Sequence, residues 1–246
     1  MKKNTELLTT VVDELNELGM LQMSTALAEC FRSTDFRSKD PLTIISEIIA
    51  PEYQARISKK YRGRLSRAHL NGCPQDISNC VDSKERKYMP NGITSGLKSL
   101  SFIDDGLNVC ILGPSDSGKS YLAKAIGIQA CRDYRVCYFH CEQFLEEMSS
   151  LKKQDYIKFQ KKIKYYTKID LLILDDFLLH TISDENEVKV LFEIMEKRSE
   201  LQQSTIVCSQ REPKSWKSMM LNDEVSSNSI MKRATKHFTV VIEMKK

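Results

Sequence analysis

The sequence predicts an α/β domain with a parallel sheet, preceded by a small helical domain. Two observations lead to this fold class. A glycine-rich loop with the spacing G-x-x-x-x-G-K-S, Gly113 to Ser120, lies between a short apolar run and a helical pattern. Apolar runs of strand length then alternate with helical segments, which is typical of a parallel sheet covered by helices. A turn at 71–74 marks the boundary, so we predict domains over 1–70 and 71–246.

Length and composition exclude several classes of protein. With 246 residues, 28% charged and 41% hydrophobic, the chain has the composition of a soluble protein that buries a sizeable core. No apolar run approaches the roughly 18 residues of a membrane span. The N-terminus also lacks the apolar block of a signal peptide. We therefore expect a cytoplasmic protein with no membrane partner, reduced cysteines and no metal cluster of cysteines and histidines.

Three helices are predicted before the turn at 71–74. Apolar residues repeat every three or four positions over 7–18, and Gly19 ends that run. A short helix over 21–30 follows. Asp40 caps a third helix that begins at Pro41, and Pro51 marks a break or a kink within it.

Two basic segments are candidate surfaces for DNA. Residues 52–70 carry six Lys or Arg side chains and one acid, and residues 152–168 carry seven lysines with interleaved aromatic residues. For the first segment, a solvated helix face and a phosphate-contacting surface are both open interpretations. For the second, an amphipathic helix that uses its aromatics for the core competes with contact to nucleic acid. The candidate DNA-binding residues are Arg62, Arg64, Arg67, Lys161, Lys162 and Lys164.

The glycine-rich loop predicts a binding site for the phosphates of ATP. Its backbone N–H groups, together with the N-terminus of the following helix, suit phosphate oxygens. Lys119 can reach the β- and γ-phosphates, and Ser120 can ligate Mg²⁺. Asp116 places like charge in this cradle, so it either points to solvent or weakens binding. The predicted ATP-binding residues are Gly113, Pro114, Ser115, Asp116, Ser117, Gly118, Lys119 and Ser120.

A pair of acids supplies the second part of the predicted site. Asp175 and Asp176 follow four apolar residues, 171–174, whose pattern indicates a fully buried strand. About fifty residues after a phosphate loop, this position predicts that Asp175 holds Mg²⁺ and that Asp176 polarises the attacking water. Gln210 follows a further apolar run at 205–208 and can contact the γ-phosphate or its water.

Short apolar runs and helical periodicity predict the other elements of the second domain. Residues 75–106 show weak periodicity and receive no assignment. The predicted strands cover 108–112, 136–141, 171–174, 205–208 and 238–243, and the predicted helices cover 121–126, 142–148, 184–201 and 226–236.

These motifs, in this order, resemble those of the IstB-type transposition helper ATPases, which belong to the AAA+ class and are related to the helicase loader DnaC. The likeness covers nearly the whole chain and includes GPSDSGKS, LLILDDF, the segment 204–210, Trp216 and 229–233. It implies a five-stranded parallel sheet, ATP hydrolysis, nucleotide-dependent homo-oligomers, binding of double-stranded DNA and its delivery to a transposase encoded nearby. It also implies that Gln210 is a sensor and that Arg233 is an arginine finger for a neighbouring subunit.

Three departures from the family pattern affect these expectations. Asp116 and Leu178 stand where the family commonly has glycine. The sequence ends at Lys246 without the Ser-x-Arg that usually follows the last strand, which puts a sensor-2 contact in doubt. Two alternatives to a transposition ATPase stay open, namely a helicase loader similar to DnaC and a nucleotide-gated DNA-binding module with little hydrolysis.

Overall fold

The N-terminal part of the chain is helical, as predicted. The computed structural model describes residues 2–36 and 38–244, and it contains α1 (Lys2–Glu17), α2 (Leu21–Arg32) and α3 (Pro41–Arg67). Gly19, at a φ of +69°, follows the first helix and confirms its predicted end. The backbone N–H of Thr43 donates to Asp40 Oδ1 at 3.1 Å, so Asp40 caps α3 as predicted.

The third helix is longer than the sequence pattern indicates. It continues through Pro51, so of the two predicted alternatives, a break or a kink, the break is wrong. A proline removes one hydrogen bond from a helix interior, and a helix of 27 residues withstands that loss.

The chain divides into two compact units, Met1–Gly63 and Arg64–Lys246. The domain boundary predicted at residue 70 stays a prediction. Within the second unit, Ala68 and Leu70 are 0% and 1% exposed, and the backbone N–H of Tyr138 donates to the Ala68 carbonyl at 3.0 Å. Lys245 and Lys246 lie outside the described residues. The question of a sensor-2 contact therefore stays at the level of the sequence.

The second unit is built around a sheet with the strand order β1-β6-β2-β5-β4-β3. The strands from β6 to β3 are parallel, and β1 pairs antiparallel with β6 at one edge. The expected five-stranded parallel sheet is therefore corrected to a mixed sheet of six strands. The strands are β1 (Arg86–Met89), β2 (Val109–Leu112), β3 (Val136–His140), β4 (Leu171–Asp175), β5 (Ser204–Ser209) and β6 (Phe238–Met244).

The additional strand β1 escaped prediction for a physical reason. It lies in the weakly periodic segment 75–106 and has only four residues, which is too short for an alternating pattern to stand out. The strands and helices predicted elsewhere in this unit are confirmed. Its helices are α4 (Ile93–Lys98), α5 (Ser101–Asp104), α6 (Lys119–Ala130), α7 (Cys141–Gln154), α8 (Tyr156–Lys168), α9 (Glu185–Glu200), α10 (Trp216–Met219) and α11 (Glu224–Thr235).

Burial explains why the central strands are almost purely apolar. Leu171, Leu172, Ile173 and Leu174 of β4 are each 0% exposed, as expected for a strand covered on both faces. In the described part of the chain, no helix has both the length and the apolarity that crossing a bilayer requires.

A buried arginine ties the helices to this sheet. Arg198 of α9 is 1% exposed, and burial lowers its pKa to about 9. Its guanidinium donates to Thr205 Oγ1 at 3.0 Å and to the carbonyls of Tyr166 and Ile169 at 2.6 and 3.0 Å. It also donates to the Ser204 carbonyl. These bonds join α9, the end of α8 and β5, and so they support the strand that leads to Gln210.

Candidate functional site

The predicted site residues meet at the carboxyl ends of the parallel strands. Leu112 of β2 pairs with Ser209 of β5, and His140 of β3 pairs with Asp175 of β4. The phosphate loop, Gln210 and Asp176 each follow directly on one of these paired strand ends. In open α/β sheets this edge is where ligands bind.

The phosphate loop has a backbone that only glycine allows at two positions. A Cβ on Gly113 would lie 2.7 Å from Ser117 Oγ and 2.8 Å from the Ile242 carbonyl oxygen. Gly118 has a φ of +95° and directly precedes α6, in a conformation that L-residues rarely adopt. Ser117 Oγ is buried and has no hydrogen-bond partner among the described residues. The loop is thus a close-packed turn at a helix N-terminus, with a free hydroxyl inside it.

Lys119 folds back into this loop. Its Nζ donates to the Pro114 carbonyl at 2.7 Å, and the residue is 5% exposed. Burial lowers the pKa of Lys119, although the charges of Asp175, Asp176 and Asp116 act in the opposite direction. The ammonium group is therefore held where an anion in the loop would meet it.

The structure explains the two departures from glycine. Asp116 is exposed, which favours the solvent-facing alternative, and its φ is +58°. Leu178 has a φ of +51° and is 3% exposed. Both residues occupy the left-handed region, which suits glycine and costs other residues about 1–2 kcal/mol. Aspartate tolerates this region better than leucine does, whereas Leu178 is stabilised by burial in the core.

Asp175 is fully buried and held from two sides. Its Oδ1 accepts a hydrogen bond from the backbone N–H of Asp176 at 3.0 Å. Its Oδ2 accepts one from the hydroxyl of Tyr138, in the neighbouring strand β3, at 2.5 Å. Burial, together with the charge of Asp175, raises the pKa of Tyr138, so the hydroxyl stays protonated as a donor. The Cys208 thiol, in the neighbouring strand β5, is also hydrogen-bonded to Asp175. A carboxylate has about four lone-pair sites, so one remains for a ligand.

Asp176 contacts a histidine to which the sequence assigned no role. His140 Nδ1 lies 3.1 Å from Asp176 Oδ2, and the two side chains are 47% and 34% exposed. Since a carboxylate only accepts, Nδ1 carries the proton in this bond. In the pairing of β3 with β4, His140 lies opposite Asp175, and this places His140 beside Asp176. The contact can be found from the sequence only if β3 and β4 are known to be neighbours. Asp176 is thus oriented from the adjacent strand.

Ser120 lies next to the phosphate loop, and Gln210 lies at the end of β5. Ser120 is half-buried in the first turn of α6, directly after Lys119. Gln210 is exposed and follows the last residue of β5. The end of β5 is tied to that of β4, because Ser209 Oγ donates to the Phe177 carbonyl at 2.8 Å.

Arg233 lies away from the phosphate loop of its own chain. Its carbonyl accepts a hydrogen bond from Asn108 Nδ2 at 2.8 Å, and Asn108 precedes β2 at the end opposite the loop. Its Nη2 lies 3.2 Å from Glu196 Oε1, and its Nη1 contacts Ser229. The structure therefore does not bring Arg233 together with Lys119, Asp175 and Asp176.

The first basic segment has mixed roles. Arg62 and Arg67 are exposed on α3. Arg64 instead donates through Nη1 to the carbonyl of Cys131 at 3.4 Å and to that of Arg132. These carbonyls follow the C-terminus of α6, so Arg64 acts there as a helix-capping residue.

Most of the second basic segment forms α8, an amphipathic helix with an exposed basic face. Phe159 and Ile163 of α8 are 0% and 1% exposed, in agreement with the core interpretation. Lys161 and Lys164 are exposed, and Lys162 pairs with Glu147. The aromatic and aliphatic face belongs to the core, and the lysines form a basic surface.

The donor set of the loop and strand ends fits a nucleoside triphosphate with Mg²⁺. The loop offers backbone donors, a close glycine turn and the unpartnered Ser117 hydroxyl, while Lys119 supplies positive charge. Hydroxyl and carboxylate oxygens, as in Ser120 and Asp175, are the ligands that Mg²⁺ prefers.

Comparisons with known sequences agree with this geometry. Residues 13–246 match the family described as IstB-like ATP binding protein. An ATP-binding protein of insertion sequence IS232 from Bacillus thuringiensis subsp. berliner is 34% identical over 144 residues, covering 58% of this chain and 56% of that protein. An insertion sequence ATP-binding protein from Sinorhizobium fredii is 29% identical over 213 residues, covering 86% of this chain and 84% of that protein.

Solved structures show the same fold. DnaI matches with a TM-score of 0.55 at 20% identity, over 69% of this chain and 92% of that one. The replication initiator DnaA, bound to AMPPCP and single-stranded DNA, also gives 0.55, at 23% identity over 69% of this chain and 50% of that one. The fold is that of the AAA+ class, and the match over residues 13–246 shows that the chain belongs to the IstB-like ATP-binding protein family.

Proposed function

We propose that this chain is the helper ATPase of an insertion sequence. It hydrolyses ATP, binds double-stranded DNA as a nucleotide-dependent homo-oligomer and delivers that DNA to a transposase. The observation that carries the proposal is the meeting of the phosphate loop with Asp175 and Asp176 at one sheet edge. The relatives named above, ATP-binding proteins of insertion sequences, support the biological setting. All eight cysteines are free, which suits the cytoplasm.

Nucleotide binding follows from the loop. The backbone N–H groups of 113–118 and the N-terminus of α6 donate to phosphate oxygens. Lys119 Nζ exchanges its bond to the Pro114 carbonyl for phosphate oxygens, which are stronger acceptors because they are charged. Ser120 and Asp175 would hold Mg²⁺, which supplies positive charge to the phosphates when bound.

Hydrolysis depends on Asp176. Its carboxylate accepts a proton from the attacking water, and the bond to His140 Nδ1 fixes one of its oxygens. Gln210, after the adjacent strand β5, orients the water or the γ-phosphate.

Arg233 acts on a neighbouring protomer. Its backbone lies at the end of β2 opposite its own loop, so any contact with a γ-phosphate is made across a subunit interface. Arginine suits this role, because it is permanently charged and can bond two phosphate oxygens at once. Within one protomer, Glu196 holds the side chain half-buried until such a contact is available.

DNA binding uses phosphate contacts and is largely independent of sequence. Lys161 and Lys164 on α8 and Arg62 and Arg67 on α3 are exposed. Lys162 is paired with Glu147, and a surface ion pair of this kind has a low energy. Lys162 therefore exchanges Glu147 for a DNA phosphate. Exposed lysine and arginine bind duplex DNA by displacing counterions from phosphates.

A helicase loader is the second candidate, because DnaI and the DnaC helicase loader share the fold. The two functions differ in the partner protein, so binding to the transposase encoded beside this chain, measured against binding to a replicative helicase, separates them. The third alternative is a DNA-binding module with little hydrolysis. It has less support, because Asp116 is exposed rather than buried within the phosphate loop.

The experiment that tests the catalytic assignment is Asp176→Asn. Asparagine keeps the size of the side chain and an acceptor for His140 but cannot take up a proton. ATP binding should be retained while turnover falls by about 100-fold or more, as for loss of a general base. Asp105→Asn, at an exposed position away from the strand ends, is the matched control. Normal turnover in the Asp176 variant would assign the proton transfer to another group.

A further inference from the structure

Arg86, the first residue of the edge strand β1, lies against the phosphate loop. Its guanidinium Cζ and Nη1 are both 3.0 Å from the point that a Cβ on Gly118 would occupy. Strand β1 reaches this place because it pairs with β6, with Arg86 opposite Met244, and β6 pairs with β2. The last glycine of the loop therefore leaves room for an arginine side chain from a strand that the sequence did not predict.

The hydrogen bonds of Arg86 are incomplete. Its Nε is buried and has no partner among the described residues. No ion pair formed by the described residues includes Arg86. Tyr88, two residues further along the strand, is a side-chain hydrogen-bond partner of the guanidinium, and this bond opposes the rise in the pKa of Tyr88 that burial causes. A buried N–H donor without an acceptor destabilises the fold, because it has given up its bond to water without gaining another.

Other arginines of this chain show what a purely structural arginine looks like. Arg198 donates to four oxygens and Arg64 to two backbone carbonyls at the end of α6. Each of these guanidinium groups is matched with neutral acceptors that fix it in the fold. Arg86 differs, because its Nε is unmatched and its position is beside the loop.

Electrostatics point to an anion at this place. The N-terminus of α6 carries a partial positive charge, and Lys119 Nζ lies within the same loop. Arg86 adds a third positive group. The charges of Asp175, Asp176 and Asp116 act on Lys119, whereas Arg86 is in no ion pair with a carboxylate of the described residues.

We propose that Arg86 is a nucleotide-binding residue that contacts the phosphate chain from the Gly118 side of the loop. The proposal rests on the proposed function, since it assumes ATP in the loop. A guanidinium suits this position better than an ammonium, because its planar fork donates two parallel N–H bonds to phosphate. Arg86 and Lys119 then hold the phosphates from two elements, the edge strand and the loop.

The test measures nucleotide affinity rather than turnover. The variants are Arg86→Gln and Arg86→Lys, and the control is Lys87→Gln, which removes a charge from the next residue on the opposite face of the same strand. Calorimetry gives the dissociation constants for ATP and ADP, and competition gives that of inorganic tripolyphosphate. Arg86→Gln should weaken all three by about 10- to 100-fold, the effect of losing one or two charge-assisted bonds. Arg86→Lys should recover part of the loss, and Lys87→Gln should bind as the wild type does.

Three results would overturn the proposal. The first is unchanged affinity in Arg86→Gln. The second is weaker binding of ATP with unchanged binding of tripolyphosphate, which would place Arg86 at the base or ribose. The third is a loss of affinity in both Arg86 variants that merely follows a lower melting temperature of the nucleotide-free protein, which indicates a structural role. Lys119→Ala separates a failure of the proposed function from a failure of the proposed role of Arg86. If Lys119→Ala abolishes nucleotide binding and Arg86→Gln does not, the proposed function stands and the role of Arg86 is refuted.

Discussion

The bond between Tyr138 and Asp175 provides a quantitative test of the site. Tyr138 is 5% exposed and Asp175 is 0% exposed, so water cannot replace a lost donor. The change Tyr138→Phe removes only the hydroxyl that donates to Asp175 Oδ2 at 2.5 Å. Loss of a hydrogen bond to a buried charged group costs about 1.5–3 kcal/mol. For a domain of this size that corresponds to a decrease in melting temperature of about 3–12 °C.

The second part of this prediction concerns Mg²⁺ and nucleotide. If Asp175 is a metal ligand, a bound cation supplies the positive charge that the missing hydroxyl provided. Excess MgATP should therefore raise the melting temperature of Tyr138→Phe by more than it raises that of the wild type. ATP with a chelator in place of Mg²⁺ should show no such difference. Differential scanning calorimetry with and without nucleotide measures both effects.

A matched control is present on the surface of the same unit. The Tyr134 hydroxyl donates to Asp104 Oδ1 and Oδ2, both at 2.9 Å, and this pair is exposed to water. Tyr134→Phe removes the same atom from the same kind of pair, but water can take its place. Equal losses of stability in the two variants would refute the argument from burial. An equal MgATP effect in Tyr138→Phe and the wild type would remove Asp175 from the metal site.

Three further predictions concern nucleotide, DNA and assembly. Lys119→Ala should abolish ATP binding in calorimetry, whereas Asp116→Gly should bind ATP at least as tightly as the wild type, because a negative charge leaves the loop region. The affinity for duplex DNA should fall with salt, with a slope of about −0.9 per phosphate contact. Replacing Lys161, Lys162 and Lys164 together, or Arg62 and Arg67 together, should make that slope shallower. Arg233→Ala should bind ATP without hydrolysing it, and mixing it with Lys119→Ala should restore part of the activity.

Each of these predictions has a result that contradicts it. Unchanged ATP affinity in Lys119→Ala would mean that the loop does not bind phosphate. An unchanged salt slope in both DNA variants would leave the two basic faces as solvated surfaces. If the Arg233 and Lys119 variants co-assemble and still show no turnover, Arg233 does not act across an interface. Lys232→Ala, at the exposed neighbouring position, should behave as the wild type throughout.

The candidate residues of the nucleotide site could be named from the sequence because their signals are local. The spacing of the loop, the apolar run before Asp175 and the position of Gln210 after a strand can each be found within about ten residues of sequence. Asp116 and Leu178 were visible as departures from glycine, and the left-handed φ at both positions gives the physical reason that glycine is favoured there. The fold class followed from the same local patterns, since apolar strands alternated with helical segments.

The residues that contact these candidates were not predictable, because each contact joins distant segments. Tyr138 and His140 reach Asp175 and Asp176 only through the pairing of β3 with β4, and 35 residues or more separate the partners. Arg86 reaches Gly118 only because a four-residue strand pairs antiparallel with β6, near the end of the chain. Strand pairing is set by the packing of the whole sheet, and a short strand contributes too little pattern for its neighbours to be deduced.

The residues that surround the candidate site come from both edges of the sheet. The loop and the acids alone describe a generic nucleotide site, whereas Tyr138, His140 and Arg86 are contributed by two strands on opposite sides of the central pair β2 and β5. Movement of either flank relative to the loop changes the partners of Asp175, Asp176 or the Gly118 turn by direct contact. We therefore expect changes in the edge strands β1 and β3 to alter nucleotide affinity. In Arg86→Gln, loss of nucleotide affinity without loss of stability of the nucleotide-free protein would show this on the β1 side.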